Sequence, residues 1–348
     1  MIGRIVVAVL LPLTSGSSDV AFSYDDPRIA ESSGLVALAN GTFVTTNDSG
    51  DVGRVFVVSD SGSTMRVAQW SDEAVDQESL APSSHADRVW VGDTGDNGAR
   101  REDIVLREVG VGAANAGRVY RTIRAIYPDG AHDAETLMRA PDGRLLVVTK
   151  GFLGGTLFAL PRDLGAEDDE SSAPVTLEPL SSAGAMLAMA TDGAFLPDGK
   201  HFLVRGYVSA TLYAWPSLDR LGSMTLPNQR QGEGLAIAAD GALWLTSEGA
   251  HSKVLRLGLS EKLAALVAPT PSATQSATSS ATSSPTPSAT PTSGTDRREP
   301  GAAPSSSGGA TQRWAWLGGG AVGVGLLGYL AVAWRGRRRA GRRTGDAG

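Results

Sequence analysis

A repeated unit of short strands and turns runs through most of this chain, and its clearest copy spans residues 231–257. The copy contains an acidic residue, Glu233, then an apolar strand, an Asp-Gly turn, a second apolar strand and, after a polar loop, a third strand. An Asp-Gly pair between two apolar runs is a strong hairpin signal, so the unit is an antiparallel meander. Four looser copies lie upstream, each marked by an acid and a following apolar residue: Glu31 with Leu35, Glu78 with Leu80, Glu135 with Leu137, and Asp192 with Phe195.

The spacing of these anchors predicts the fold class. Successive acids are 47, 57, 57 and 41 residues apart. Repeats of roughly 40 to 50 residues, each with about four short strands, are typical of a β-propeller. We therefore predict an all-β fold with five blades, with six blades as the alternative and no helix before the membrane span described below.

The first and last units predict how the ring closes. Residues 18–30 supply a strand that precedes the first unit, and the last unit, ending near Leu259, has only three strands of its own. Placing the N-terminal strand at the outside of the last blade completes that blade and removes two exposed sheet edges.

Composition divides the chain into five regions. Residues 1–20 have one basic residue followed by an apolar run, which is typical of a secretory signal peptide, with an uncleaved anchor as the alternative. Residues 21–265 hold the repeats, and residues 266–312 are so rich in Pro, Ser, Thr and Ala that we expect a disordered stalk. An uncharged stretch of 21 residues with tryptophans near both ends predicts a transmembrane helix at 313–334. Six arginines in residues 335–348 place that end in the cytoplasm by the positive-inside rule.

The regions together predict a single-pass protein of the cell membrane with an extracellular ectodomain.

The whole chain has a formal charge of −6, and residues 335–348 contribute +5, so the remainder carries −11. An acidic ectodomain argues against nucleic-acid binding and is compatible with cations held at carboxylates. The chain has no cysteine, which excludes disulfides, thiol catalysis and thiolate metal sites.

Polar residues recur where the strands of a meander meet one edge of the sheet. The start of the first strand and the end of the second strand lie at the same edge, which becomes one rim of the central channel of a propeller. The strand-one starts are all acidic: Glu31, Glu78, Glu135, Asp192 and Glu233. The strand-two ends carry Asn47, Asp48, Asp93, Asp96, Asn97, Lys150, Arg205 and Glu248. We expect these side chains to face the mouth of one funnel, which is the default ligand site.

Several carboxylates around one axis raise each other's pKa unless a counter-charge is present. Ca²⁺ is the hard cation best matched to carboxylate and amide oxygens in an extracellular protein. The segment GDTGDNG at residues 92–98 has the oxygens and glycine turns of a calcium loop, without the EF-hand spacing. The alternative is that the acids cap turns and accept backbone hydrogen bonds between blades.

Two basic residues break the acidic pattern on neighbouring blades, Lys150 and Arg205. One interpretation is a polarised site, in which they bind an anionic group of a ligand alongside Asp93 and Glu248. The alternative is internal salt bridging to the adjacent acids. His132, close to Glu135 in sequence, is a candidate general base, and its alternative role is that of an ordinary turn residue.

The segment ESSGLVALANGTFVTTNDSGDVGRVFVVSDSG at residues 31–62, and EGLA at 233–236, resemble exported propellers of the SdiA-regulated family. The chain is more distantly similar to phytase-type "esterase-like" propellers and to the broader calcium-dependent lactonase (SMP-30-like) group. The resemblance covers about residues 23 to 262. It implies a calcium site at the funnel mouth, which by position carries over to these residues: Glu31, Asp48, Glu78, Glu135 and Glu233. The acidic ring adds Asp192 as a further candidate ligand. A stalk and membrane span, common in actinobacterial surface proteins, lie outside the likeness.

Two functions remain open from the sequence. The first is a non-catalytic, membrane-anchored surface module whose funnel, with a divalent cation at its mouth, binds an extracellular ligand, an envelope polymer or a partner protein. The second is a calcium-dependent hydrolase of phosphoesters or lactones, with Glu135 or His132 as the base and with Lys150 and Arg205 binding the anionic group. Fold alone does not choose between them, because propellers host both.

Overall fold

The computed structural model describes residues 18–162, 164 and 173–268, and the account below concerns those residues. They form strands throughout, followed by one short helix. In chain order the strands are β1 (Asp19–Ser23), β2 (Ser32–Ala37), β3 (Phe43–Asn47), β4 (Asp51–Val58), β5 (Thr64–Val75), β6 (Gln77–Pro82), β7 (Arg88–Asp93), β8 (Ile104–Gly110), β9 (Val119–Ile126), β10 (Ala134–Arg139), β11 (Leu145–Thr149), β12 (Leu157–Ala159), β13 (Val175–Thr176), β14 (Glu178–Pro179), β15 (Asp192–Phe195), β16 (His201–Arg205), β17 (Ser209–Ala214), β18 (Arg220–Thr225), β19 (Gly232–Ile237), β20 (Leu243–Ser247) and β21 (Lys253–Leu257). The helix α1 is Glu261–Val267.

The strands make five sheets, and each sheet is one blade of a β-propeller. Blades 1 to 4 are formed in order by β2–β5, β6–β9, β10–β12 with β14, and β15–β18. Blade 5 contains β19, β20 and β21, and its outer strand is β1, which runs antiparallel to β21. The predicted five-bladed fold and the predicted closure by the N-terminal strand are both confirmed.

The hydrophobic core is divided among the blade interfaces. Five buried clusters occur, and each joins residues of two neighbouring blades, including blades 5 and 1. At that last interface Phe22 of β1 lies 5.4 Å from Phe43 of blade 1, between ring centroids, and Phe43 lies 4.6 Å from Trp244 of blade 5. Burying large aromatic side chains at this seam stabilises the closed ring.

Two local features differ from the sequence prediction. Blade 3 departs from the expected four consecutive strands, because β13 pairs in parallel with β9 of blade 2 and only β14 pairs with β12 of blade 3. The expectation of no helix before the membrane span is wrong, because α1 follows blade 5. Ser260 caps its first turn, and Leu263 is fully buried against β18 of blade 4. The apolar face of a short helix is stabilised mainly by such packing.

No helix within the described ranges is long and apolar enough to cross a membrane. The predicted span at 313–334 and the tail at 335–348 lie outside those ranges. The same applies to residues 1–17 of the predicted signal peptide and to residues 269–312 of the predicted stalk.

The strand register builds one polar rim. The residue pairs nearest the rim join the first strand of each blade to the end of its second strand, and they are Ser32 with Asn47, Gln77 with Asp93, Ala134 with Thr149, Asp192 with Arg205, and Gly232 with Ser247. The prediction that strand-one starts and strand-two ends share an edge is therefore confirmed. Irregular pairing after the first pair in blades 2, 3 and 5, and after the second pair in blade 1, adds a residue to the inner strand.

Candidate functional site

A ring of buried polar side chains surrounds the channel just inside this rim. It consists of the second residue of the innermost strand in blades 1, 2, 3 and 5 and the first residue in blade 4, namely Ser33, Glu78, Glu135, Glu233 and Asp192. All of them are at most 6% exposed. The register gives blade 1 a serine at this position, so Glu31 is not the equivalent of Glu78. Glu31 lies two residues earlier, level with Asp76 and Asp133.

A second layer of acids lies at the mouth, outside this ring. Backbone hydrogen bonds define the layer: the N–H of Asp48 donates to the carbonyl of Glu31 at 2.8 Å, and the N–H of Glu248 donates to that of Gln231 at 3.0 Å. In blade 3 the N–H of Lys150 donates to the carbonyl of Asp133 at 2.8 Å. In blade 2 the N–H of Thr94 donates to the carbonyl of Asp76 at 3.1 Å, so the repeated bond fixes the backbone of the mouth in four blades.

Three carboxylates from two blades converge at one side of the mouth. One oxygen from each of Asp48, Asp76 and Glu78 lies within 4.8 Å of the others. The Ser33 hydroxyl donates to Glu78 Oε2 at 3.3 Å and to the Glu78 carbonyl at 2.8 Å. Asp76 Oδ1 is buried and has no hydrogen-bond partner among the described residues. We call these three carboxylates the acidic cluster.

Asp76 is absent from the predicted site residues because the repeat pattern assigned only one acid to the start of the first strand of each blade. A signal was available, since blades 2 and 3 both carry an acid, one intervening residue and a glutamate, in Asp76-Gln77-Glu78 and in Asp133-Ala134-Glu135. Residues two apart on a strand lie on one face, so this spacing adds a second acid to the channel side.

Two carboxyl groups of the acidic cluster, those of Asp76 and Glu78, have raised pKa values. Burial raises the pKa of Glu78 well above its usual range, and the neighbouring Asp48 adds to the effect. Burial, followed by the charge of Asp48, raises the pKa of Asp76 to about 7, although Arg101 opposes this. The carboxyl groups of Asp76 and Glu78 therefore favour either a proton or a nearby cation over an unpaired charge.

The wall of the mouth on blade 3 carries the basic residue Lys150. Its ammonium forms an ion pair with Glu135 and lies 5.5 Å from the ring centroid of Tyr207. Burial lowers the pKa of Lys150, but the charges of Glu135 and Glu233 outweigh burial, and the net pKa is raised. Lys150 is therefore charged at neutral pH. Its contacts match the alternative role, in which it forms an internal salt bridge with an adjacent acid.

Two further acids of the mouth lie on blade 5. Burial raises the pKa of Glu233 to about 7, against the lowering effect of Lys150. Burial and the charge of Glu233 raise the pKa of Glu248 to about 8, while Gln231 Nε2 donates to Glu248 Oε1 at 2.8 Å. In the part of the chain that the structure describes, Oε2 of Glu135 and Oε2 of Glu233 are buried and accept no hydrogen bond.

Asp192 of the ring and its cross-strand partner Arg205 join neighbouring blades. Asp192 is fully buried, and its carboxylate accepts from the N–H of Leu235 in blade 5 at 2.6 Å and from that of Gly193 at 2.7 Å. Arg205 is also fully buried and donates to the carbonyl of Gly234 at 2.9 Å. These contacts match the alternative in which a repeated acid accepts backbone hydrogen bonds between blades.

In the loop at residues 92–98 of blade 2, the carboxylates of Asp93 and Asp96 are paired with nearby arginine side chains and backbone N–H groups. Arg101 Nη1 lies 2.7 Å from Asp93 Oδ1, and Arg107 Nη1 lies 3.6 Å from Asp93 Oδ2. Asp96 Oδ2 accepts from the N–H groups of Arg100 at 2.6 Å and Arg101 at 2.7 Å. The oxygens that resembled a calcium loop are thus used within the loop and by its own arginines.

His132 is placed in a turn between blades 2 and 3. Its Nε2 lies 2.9 Å from Asp129 Oδ1, and its ring contacts Tyr127 and Phe158 at centroid distances of 4.9 and 5.7 Å. These contacts hold the imidazole against the blade interface. They correspond to the alternative role of a turn residue.

The acidic cluster has the chemistry of a hard-cation site. Its donors are carboxylate oxygens, which Ca²⁺ and Mg²⁺ prefer, and Asp76 supplies a buried oxygen with no other partner. Asp48 and Glu78 complete a set of three candidate ligands from blades 1 and 2. Among the other predicted ligands, Glu135 lies on blade 3 and Glu233 on blade 5, and Asp192 accepts hydrogen bonds between blades.

No protein-family model and no curated protein sequence matches this chain. Solved structures with similar folds include a gluconolactonase from Xanthomonas campestris, which is 16% identical with a TM-score of 0.42, over 68% of this chain and 77% of that one. A PQQ-bound aldose sugar dehydrogenase from Streptomyces coelicolor is 11% identical with a TM-score of 0.42, over 71% and 99% of the two chains. A virginiamycin B lyase from Staphylococcus aureus is 13% identical with a TM-score of 0.36, over 68% of each. At these values the likeness supports no inference about activity.

Proposed function

We propose that this chain is a membrane-anchored extracellular β-propeller that binds a divalent cation, preferentially Ca²⁺, at its funnel mouth. The same face of the propeller binds a ligand. The convergence of Asp48, Asp76 and Glu78 within 4.8 Å carries the proposal. Three carboxylates this close, with a buried unpartnered oxygen, are stabilised by a cation more than by water. The predicted stalk and membrane span would present the funnel away from the cell surface.

Calorimetric titration of the full chain, purified in detergent, with CaCl₂ tests the cation. We expect saturable binding that releases protons, because a carboxyl group must lose its proton to coordinate a metal. Repeating the titration in two buffers with different ionisation enthalpies measures that release.

The matched variants are Asp76→Asn and Asp60→Asn. Asp76→Asn removes a charged ligand and is expected to weaken binding about tenfold or more. Asp60 is an exposed acid in the β4–β5 turn at the other end of blade 1, so Asp60→Asn should leave binding unchanged. Equal binding by both variants would show that calcium does not occupy the acidic cluster.

A second candidate function is metal-dependent hydrolysis of a lactone or phosphoester. Glu233 favours it, because its carboxyl is buried, has an oxygen without a hydrogen bond, and has a pKa raised to about 7 by burial. A carboxyl group with these properties suits general acid–base catalysis near neutral pH. Lys150 is the nearby cation that would bind an anionic substrate group, and a bound divalent cation would polarise the reacting oxygen.

Turnover assays decide between the two candidates. Calcium-dependent hydrolysis of p-nitrophenyl phosphate or of a simple lactone, abolished in Glu233→Gln with cation binding retained, would establish the enzyme. If the calcium-loaded protein turns over neither substrate class, the hydrolase hypothesis is rejected and the binding-module hypothesis is retained.

A further inference from the structure

A group of exposed apolar side chains borders the acidic mouth on blades 3 and 4. Leu153 is 89% exposed, Val208 is 72% exposed and Phe152 is 48% exposed. Phe152 and Leu153 lie in the loop after β11, which starts at Lys150, and Val208 lies in the turn after β16, next to Tyr207. We call these three residues the apolar lip.

The loops that carry the apolar lip are held in place by a third loop between β14 and β15. Gly155 and Met186 exchange backbone hydrogen bonds at 3.3 and 3.0 Å, and the N–H of Met189 donates to the carbonyl of Gly151 at 3.0 Å. A Cβ on Gly206 would come within 2.9 Å of the carbonyl oxygen of Met189, so this loop also packs closely against the β16–β17 turn. The lip is therefore a preformed surface, which lowers the entropy cost of binding to it.

Carboxyl groups outnumber basic side chains beside the lip. Eight carboxyl groups are electrostatically linked around the mouth, those of Glu31, Asp48, Asp76, Glu78, Asp133, Glu135, Glu233 and Glu248. The nearby basic residues are Lys150, Arg205 and Arg101. Even with one divalent cation bound, the carboxyl groups outnumber the positive charges. Oε2 of Glu233 is buried and accepts no hydrogen bond among the described residues.

We propose that this face binds a polypeptide segment in which a lysine or arginine stands beside large apolar residues. The basic side chain enters the acidic mouth, and the apolar side chains cover Phe152, Leu153 and Val208. Charge complementarity selects such a segment over an acidic or anionic one. Exposed apolar side chains next to a charged cleft are typical of an interaction surface. This inference does not depend on the cation, because the acids are present with or without it.

Panning random displayed peptides on the full chain tests the proposal without assuming a partner. The expected result is enrichment of peptides that combine a basic residue with large apolar residues, in chelator as well as in calcium. Enrichment of acidic or uniformly polar peptides, or no enrichment, would overturn the proposal.

The affinity of one enriched peptide, measured by fluorescence anisotropy, assigns the contacts. The double variant Leu153→Ser with Val208→Ser should weaken binding about tenfold or more, because truncating apolar anchors at an interface has that effect. Met65→Ser is the matched control, since Met65 is 57% exposed and lies near the start of β5. A peptide with norleucine in place of its basic residue should also bind about tenfold more weakly if the charge enters the mouth.

Two results would contradict the assignment. Equal affinity of the double variant and the wild type would exclude the apolar lip as the contact. Binding of phosphatidylcholine vesicles that is lost in the double variant, together with no peptide binding, would instead assign the lip to a lipid surface. If the protein binds the peptide but does not bind calcium, the proposed cation site is refuted and the proposed peptide site is not.

Discussion

Replacing Asp76 by asparagine removes one charge from the acidic cluster and nearly preserves its shape. Burial, followed by Asp48, raises the pKa of Asp76 from 3.8 to about 7 in the folded protein. A carboxyl group with a raised folded pKa contributes stability that is complete below its unfolded pKa and is lost as pH rises through its folded pKa. The wild type should therefore lose stability relative to Asp76→Asn as the pH rises from about 4 to about 7.

The magnitude follows from the shift. One pKa unit corresponds to about 1.4 kcal/mol, so the whole rise from 3.8 to about 7 corresponds to about 4 kcal/mol, of which about 2 to 3 kcal/mol is lost between about pH 5 and about pH 8. Asp76 is only partly buried, and solvent screening reduces this to about 1 to 2 kcal/mol.

Urea unfolding of the full chain in chelator, followed by tryptophan fluorescence, measures the difference. Asp60→Asn is the control, since it removes one carboxylate from an exposed turn far from the mouth. The free energy of unfolding of Asp76→Asn minus that of the wild type should be larger at the higher pH. A difference that stays constant with pH, or that shrinks as pH rises, would refute the argument that the cluster is electrostatically strained.

Three further substitutions test the ring and its closure, each read by urea unfolding. Asp192→Ala leaves the buried N–H groups of Leu235 and Gly193 without their acceptor and should cost about 2 to 5 kcal/mol; a loss below about 1 kcal/mol would contradict its role between blades. Gly62→Ala should cost about 2 kcal/mol and expose β1 to protease, because Gly62 has φ of +96° and a Cβ there would overlap the carbonyl of Ser23; wild-type stability would contradict this. Leu263→Ala should cost about 2 kcal/mol if α1 is part of the folded propeller, and no loss would show that it is not.

Sequence reasoning captured the features that repeat. The anchor spacing predicted five blades, because every blade must bury two faces and so repeats the same meander. The unpaired strand at residues 18–30 and the missing strand of the last unit predicted the pairing of β1 with β21. The convergence of acids at one rim followed from meander geometry alone.

The details that sequence reasoning missed depend on three-dimensional context. The anchor Glu31 was placed in the ring, but the register puts Ser33 there, because the first strand of blade 1 starts after Glu31. Asp93 and Arg205 were predicted to bind a ligand, but in the structure Asp93 pairs with arginines and Arg205 donates to backbone carbonyls. The spacing of residues in the sequence does not reveal these contacts. The helix α1 was missed because seven residues give a weak periodic signal and its stability comes from packing on β18.

The most direct test of the central claim is the thermal unfolding midpoint of the full chain, first in EDTA and then with saturating Ca²⁺, for the wild type and Asp76→Asn. A cation that binds only the folded state raises the midpoint in proportion to its binding free energy. The account predicts a calcium-dependent rise in the wild type and little or none in Asp76→Asn. An unchanged wild-type midpoint, or an equal rise in both proteins, would contradict a cation site formed by Asp48, Asp76 and Glu78.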